Sequence, residues 1–207
     1  MPQSTETYRV IALPSSLGWM AILGKGRVVK QLVFGYPTRA RAIAALDEGL
    51  VRRAQHVPLA SPSVALVRRL QAYAEGEPED FRDIQVDLDG LSRFRRRVFE
   101  ACREIPYGET LSYAELAGTA GFPKAFRAVG NCMAANRVPL IIPCHRVVCS
   151  NGQIGRFSAP GGGMMKRRLL QLEEGGGQSH FRADASRPGP KIGTVPSSEA
   201  PDWPRIE

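Results

Sequence analysis

No apolar run in this chain approaches the length of a membrane-spanning helix, which takes about 20 predominantly apolar residues, so no membrane partner is expected. The start, Met1-Pro2-Gln3-Ser4-Thr5-Glu6, has neither a basic flank nor an apolar stretch, so a secretory signal is not expected either. Paired metal ligands are also missing. Zinc sites draw on Cys or His pairs at short spacing, yet no Cys-x-x-Cys occurs, and the adjacency of Cys144 and His145 suits two ligands on one ion poorly. No metal is expected. Only four cysteines are present, Cys102, Cys132, Cys144 and Cys149, and without a leader they read as reduced thiols of a cytoplasmic protein. There is no internal repeat.

What is present is basic. The chain has 207 residues, ample for one large domain or two small ones, and a formal charge of +8. Its hydrophobic and charged fractions, 43% and 23%, are those of an ordinary soluble globular protein. The excess of cations favours a polyanion, nucleic acid or an anionic surface, without choosing between them.

The pattern predicts an α+β chain. Tyr8–Leu13, Gly18–Leu23 and Val28–Phe34 are short and rich in β-branched or aromatic residues, separated by Pro14-Ser15-Ser16 and Gly24-Lys25-Gly26. Three strands at hairpin spacing imply an antiparallel meander. Helices are predicted over Thr38–Leu50, with Ala40, Ile43, Ala44 and Leu46 on one side, and over Pro62–Ala74, followed by a returning strand at Gln85–Leu88. A domain boundary is placed at Asp89-Gly90. Beyond it, Leu91–Glu104 reads as a helix with Phe94, Val98 and Ala101 beneath Arg93, Arg95, Arg96 and Arg97, a run best read as a solvated face. Gly161–Glu174 ends in a short helix. Residues 175–207 are rich in Gly, Ser and Pro without apolar period and read as a disordered tail.

Ser112-Tyr113-Ala114-Glu115 fits a capping box, Gly121-Phe122-Pro123 ends that helix, and Pro123 suits the first position of a second one, Pro123–Ala135. On the second helix Ala125, Val129, Cys132 and Met133 should pack inward, leaving Arg127, Gly130, Asn131 and Ala134 outside. A major-groove reader presents several long polar side chains. This face is small apart from one arginine, which suits close approach in a minor groove.

Asn136-Arg137-Val138-Pro139-Leu140-Ile141-Ile142-Pro143-Cys144-His145-Arg146-Val147-Val148 is the most distinctive stretch. Leu140–Ile142, held between two prolines, should place Cys144 at the end of a rigid, buried segment. A thiol becomes a strong nucleophile once a neighbouring histidine takes its proton, and that base needs a third group to orient it. Glu173 and Glu174 are both candidates.

This stretch resembles the active-site signature of the O6-alkylguanine-DNA alkyltransferases, the methylated-DNA–protein-cysteine methyltransferases. The resemblance extends through Ile105-Pro106-Tyr107-Gly108-Glu109-Thr110, Ser112-Tyr113, Leu116-Ala117 and Arg127-Ala128-Val129-Gly130. Downstream it takes in Gly152, Gly155, Ser158, Lys166, Leu169-Leu170 and Glu173. It spans roughly Phe94 to Glu174. Residues 1–89 match only as strands followed by helix, the pattern of that family's ribonuclease-H-like domain, and 90–174 correspond to its winged-helix or helix-turn-helix domain.

The resemblance implies a single-use repair protein that moves an alkyl group from O6-alkylguanine in duplex DNA, with O4-alkylthymine a second candidate, onto Cys144. His145 would take the thiol proton through a water, oriented by Glu173, with Glu174 one position out of register. Asn136 would tie the helix pair to the Cys loop. Arg127 would fill the gap left by a flipped base, Tyr113 would press on the adjacent phosphate, and Ala128, Gly130, Asn131 and Ala134 would lie against the duplex. Val147, Phe157 and Ser158 would border the extruded guanine. No cofactor is implied, and a monomer is expected. Three departures stand out. Phe157 replaces a tyrosine whose hydroxyl assists the departing base, Phe126 replaces a small residue, and the 158–163 loop is longer than the common form. The rivals are an alkyltransferase-like protein that recognises damage without catalysis, a cysteine hydrolase, and a DNA-binding regulator.

Overall fold

A computed structural model describes residues 7–56 and 65–176. Strands β1 (Tyr8–Leu13), β2 (Trp19–Lys25) and β3 (Val28–Tyr36) form the antiparallel meander, with Ile11 opposite Ile22 and Ile22 opposite Leu32. Gly18 permits the turn before β2. Its φ is +92°, and a Cβ there would meet the Gly35 and Tyr36 backbone at 3.1 Å.

The sheet is mixed, correcting the antiparallel expectation. Helices α1 (Arg39–Ala44) and α2 (Glu48–Val51) precede β4 (Gln55–His56), which runs parallel to β1. Helix α3 (Ala65–Ala74) precedes β5 (Gln85–Val86), parallel to β3, giving the order β4-β1-β2-β3-β5. A helical crossover returns the chain in the same direction, whereas a tight turn reverses it.

The helix predicted over 38–50 is two helices. Asp47 accepts a hydrogen bond from Leu50 N at 3.1 Å and so caps a new start. Ala42 and Leu46 face inward while Ala40 and Ala44 are exposed, another departure from the predicted face. In α3 the buried residues are Val67, Leu70, Tyr73 and Ala74. Pro62, expected to open that helix, lies outside the described residues.

Helix α4 (Arg93–Arg103) is capped by Ser92 and buries Val98, Phe99 and Cys102; Phe94 and Ala101, predicted as core, are half-buried. Arg93 and Arg97 are exposed, as the solvated-face reading expects, but other arginines of the helix are engaged. Arg96 donates to the Leu88 carbonyl at 3.0 Å, and Arg103 donates to the carbonyls of Phe81, Arg82 and Ile84 at 2.8–3.1 Å. Turn carbonyls left over by the loop before α4 thus find donors on the helix.

Strand β6 (Leu111–Ser112) leads into α5 (Tyr113–Thr119), which has the expected reciprocal capping box between Ser112 and Glu115. Helix α6 runs Phe126–Ala134. It starts three residues later than predicted, because Ala125 is the N-cap and Pro123-Lys124 form a turn. A 3-10 turn at Cys144–Arg146 runs into β7 (Val147–Val148), parallel to β6, and α7 (Gly162–Gly176) follows. Gly175 and Gly176 are therefore helical; the rest of the expected tail lies outside the described residues.

One continuous core runs through both parts of the chain, from Leu13 and Phe34 through Tyr73 and Phe81 to Cys102, Ile105, Ile142 and Leu169. A smaller cluster, including Val10, Leu23, Ala42 and Leu46, brings together β1, β2 and α1. No described helix is long and apolar enough to cross a membrane.

Candidate active site and nucleic-acid face

The segment that carries Cys144 is held under strain. Leu140 adopts φ +71° although it is not glycine, a conformation costing about 1–3 kcal/mol. Its burial, and a 2.9 Å bond from Ile142 N to Val138 O, hold it there. Asn136, just past α6, reaches across the loop. Its Nδ2 donates to Ile142 O at 2.8 Å and to Cys144 Sγ at 3.1 Å, while its Oδ1 accepts from Val138 N at 3.0 Å. Cys144 is 3% exposed. Burial pushes the Cys144 thiol above its ordinary value, against the Asn136 bond and the nearby Lys166 ammonium. At rest the group is a thiol.

Beside it, His145 is fully buried and Nε2 lies 2.8 Å from Glu173 Oε1. Burial lowers the imidazole pKa, against the pull of Glu173, so the ring is neutral at rest. Burial alone would raise Glu173, but His145 and Arg146 outweigh it and hold the carboxyl well below the usual range. An ionised carboxylate only accepts, so the proton sits on Nε2 and Nδ1 keeps its lone pair. Nδ1 is buried and makes no hydrogen bond among the described residues. It is the available base. Glu174 is exposed, so Glu173 is the carboxylate at this site.

Glu173 is itself over-determined. Arg146 Nε and Nη2 donate to it at 3.0–3.2 Å, Gly108 N donates to Oε2 at 3.0 Å, and Tyr73 Oη donates to Oε1 at 2.6 Å. Arg146 is 1% exposed and spends its remaining donors on the carbonyls of Ile105 and Glu79.

The outer face of α6 lies nearby. Arg127, Ala128, Asn131 and Ala134 are exposed, while Val129, Cys132 and Met133 are buried. Ala125, predicted to pack inward within the helix, is its half-buried cap. Gly130 lies against Tyr113, whose ring would be 4.0 Å from a Cβ at that position. The Tyr113 hydroxyl sits beside Gly155, where φ is +74° and a Cβ would come within 3.2 Å of it. Phe126 is 47% exposed, with the Arg127 guanidinium 5.7 Å from its ring centre.

The residues expected around a base are more scattered. Val147 is buried and its carbonyl accepts from Lys166 Nζ, leaving one lone pair. Phe157 packs on Phe34 with ring centres 6.2 Å apart. Ser158 is exposed and lines a groove of about 690 Å³ between β3 and residues 134–139, together with Asn136 but without Cys144, Val147 or Phe157.

Tyr73, Gly108, Arg146 and Lys166 received no role from sequence. Arg146 and Lys166 were visible as parts of the quoted motifs, and their charge in otherwise apolar company was the available signal. Tyr73 offered none beyond its place on the apolar face of α3. Lys166 is buried, which pushes it down to about 8 against the pull of the Cys144, Cys149 and Cys102 sulfurs.

The arrangement joins a helix pair with a small exposed face to a buried thiol and a histidine–glutamate pair. Comparison with known proteins is specific. Residues 93–175 match the family model "6-O-methylguanine DNA methyltransferase, DNA binding domain". A methylated-DNA–protein-cysteine methyltransferase of Mycolicibacterium paratuberculosis is 47% identical over 108 residues, 52% of this chain and 62% of that protein. The crystal structure of Mycobacterium tuberculosis OGT in complex with DNA is 34% identical with a TM-score of 0.65, covering 81% of this chain and 94% of that one. The enzyme from Pyrococcus kodakaraensis is 26% identical with a TM-score of 0.60, covering 79% and 98%. The chain belongs to the 6-O-methylguanine DNA methyltransferase family. Its aligned part spans somewhat under two thirds of the curated Mycolicibacterium relative, at 62%.

Proposed function

We propose that this protein reverses O6-alkylguanine damage in duplex DNA by taking the alkyl group onto Cys144, once per molecule. The observation that carries the reading is the pairing of one buried thiol with a neutral imidazole whose free nitrogen is fixed by Glu173. Family membership and the related DNA complex support the substrate. In this reading residues 1–89 are the ribonuclease-H-like part and 90–174 the helix-turn-helix, winged part. The protein acts as a monomer wherever genomic DNA is kept, the cytoplasm of a bacterium included.

The O6 carbon is hidden in the base stack, so the nucleotide must be extruded, at a cost of a few kcal/mol. The small face of α6, with Ala128, Gly130, Asn131 and Ala134, approaches the minor groove, and Arg127 occupies the space the base leaves. Tyr113 bears on the neighbouring phosphate. Val147, Phe157 and Ser158 border the extruded guanine. His145 Nδ1 takes the thiol proton by way of a water. The S–C bond forms as the O6–C bond breaks, and its electron pair passes to the guanine, which takes one proton to become the ordinary base. A thioether remains. Nothing in the site can hydrolyse it, so turnover stops.

Transfer of a radiolabelled methyl group from lesion-bearing duplex to protein tests the scheme. One label per chain, absent in Cys144→Ser, is expected. Phe157 favours one second reading, recognition without efficient transfer, because it lacks the hydroxyl that would assist the leaving base. Tight lesion binding with no label on protein would select that reading.

A further inference from the structure

The helix that follows the first sheet puts one side chain into the reactive relay. Tyr73 lies in the last turn of α3, is fully buried, and stands 72 positions before His145 and 100 before Glu173. Its hydroxyl is 2.6 Å from Glu173 Oε1 and 3.2 Å from His145 Nε2. The ring is fixed by Phe81 and Tyr107, with centres 5.9 and 6.0 Å away. Packing alone would be served equally by phenylalanine. A buried phenol is costly unless its O–H is used.

We propose that Tyr73 is a positioning residue for proton transfer from Cys144, holding the Glu173 carboxylate and sharing the N–H of His145. This rests on the reading of Cys144 as the alkyl acceptor. The proton count supports it. Tyr73 has one proton, and the shorter contact assigns it to Glu173 Oε1. The phenol oxygen then presents a lone pair towards Nε2. An imidazole N–H at Nε2 meets two acceptors, whereas the opposite tautomer would set the Nε2 lone pair against a carboxylate oxygen at 2.8 Å. Turning the phenol proton onto Nε2 would leave those two lone pairs facing each other and would take from Glu173 Oε1 its 2.6 Å donor. The hydroxyl therefore favours the tautomer that leaves Nδ1 as the base, and it does so from a part of the chain outside the matched 93–175 segment. The other charged groups near the ring, Arg146 and Lys166, cannot accept a proton bond and so cannot substitute.

The test uses the full chain with Tyr73→Phe. Three histidines are present, His56, His145 and His180, so the ring nitrogens of His145 can be assigned by ¹⁵N NMR. Wild type should show the hydrogen on Nε2. Tyr73→Phe should shift His145 towards a tautomer mixture and slow single-turnover methyl transfer about tenfold, the scale of one hydrogen bond to a charged group. Affinity for lesion duplex should stay unchanged. An unchanged rate, or slower transfer with wild-type nitrogen shifts, would overturn the proposal. If the variant does not fold, the wild-type spectrum still decides, since a hydrogen on Nδ1 refutes it. Failure of wild type to accept methyl would instead sink the reading of Cys144, while the nitrogen spectra continue to report on Tyr73.

Discussion

Replacing Glu173 by glutamine removes one negative charge from a site where every neighbour is a donor. Arg146 directs two nitrogens at the carboxylate, and Gly108, Tyr73 and His145 each direct one hydrogen. In Glu173→Gln the amide NH₂ must face at least one of these donors, and the Arg146 cation stays buried without its counterion. Removing one partner of a buried pair costs about 3–5 kcal/mol. For a chain of this size each kcal/mol moves Tm by roughly 2–4 °C, so a fall of about 6–20 °C is expected by calorimetry. The pH dependence supplies an independent sign. Glu173 titrates well below its ordinary 4.5 in the folded protein, so its contribution is complete above that value and is lost as pH falls towards the folded pKa. Wild type should therefore lose stability more steeply than Glu173→Gln between about pH 5 and 3. A Tm change under about 2 °C, or parallel pH curves, would refute the claim that this carboxylate is an ionised hub.

Arg127→Ala should slow repair of duplex DNA strongly while leaving reaction with free O6-benzylguanine near wild type, measured as two single-turnover rates; equal losses would remove Arg127 from base flipping. Lys166→Met leaves the buried Val147 carbonyl without its donor and should cost about 1–3 kcal/mol in urea unfolding; an unchanged unfolding midpoint contradicts that. Asn136→Ala leaves Ile142 O and the Cys144 sulfur without their donor. It should cost about 1–3 kcal/mol in urea unfolding, with no loss if the loop is held by Leu140 packing alone. Phe157→Tyr should speed methyl transfer without changing lesion affinity; slower transfer would show that packing against Phe34 matters more than a hydroxyl.

What could be read in advance follows the range of the interactions. The capping box at Ser112 and Glu115, the meander and the inward face of α6 at Val129, Cys132 and Met133 are local, and their residue patterns carry them. The buried Leu140–Ile142 segment was equally legible, since prolines on both sides and an apolar run leave few alternatives. Edge strand β4, two residues long, is too short for periodicity to reveal, whereas β5 at Gln85–Val86 falls within the strand expected at Gln85–Leu88; the parallel sense of both depends on crossovers. Asp47 split a helix because a single side-chain bond outweighed a continuous apolar pattern. At the site, Glu173 and Glu174 were separable only through the family resemblance, because the distinction is which side of α7 faces His145. Tyr73 was invisible. Its partners lie 72 and 100 positions away, and a tyrosine on an apolar helix face reads as core until the hydroxyl is seen to point at a carboxylate.

The most direct measurement is peptide mapping by tandem mass spectrometry after incubation with duplex DNA carrying O6-methylguanine. One methyl group on Cys144, with Cys102, Cys132 and Cys149 unmodified and the DNA restored to guanine in equal amount, is the outcome this account requires. Methyl on another cysteine, or restored guanine with an unmodified Cys144, would contradict it.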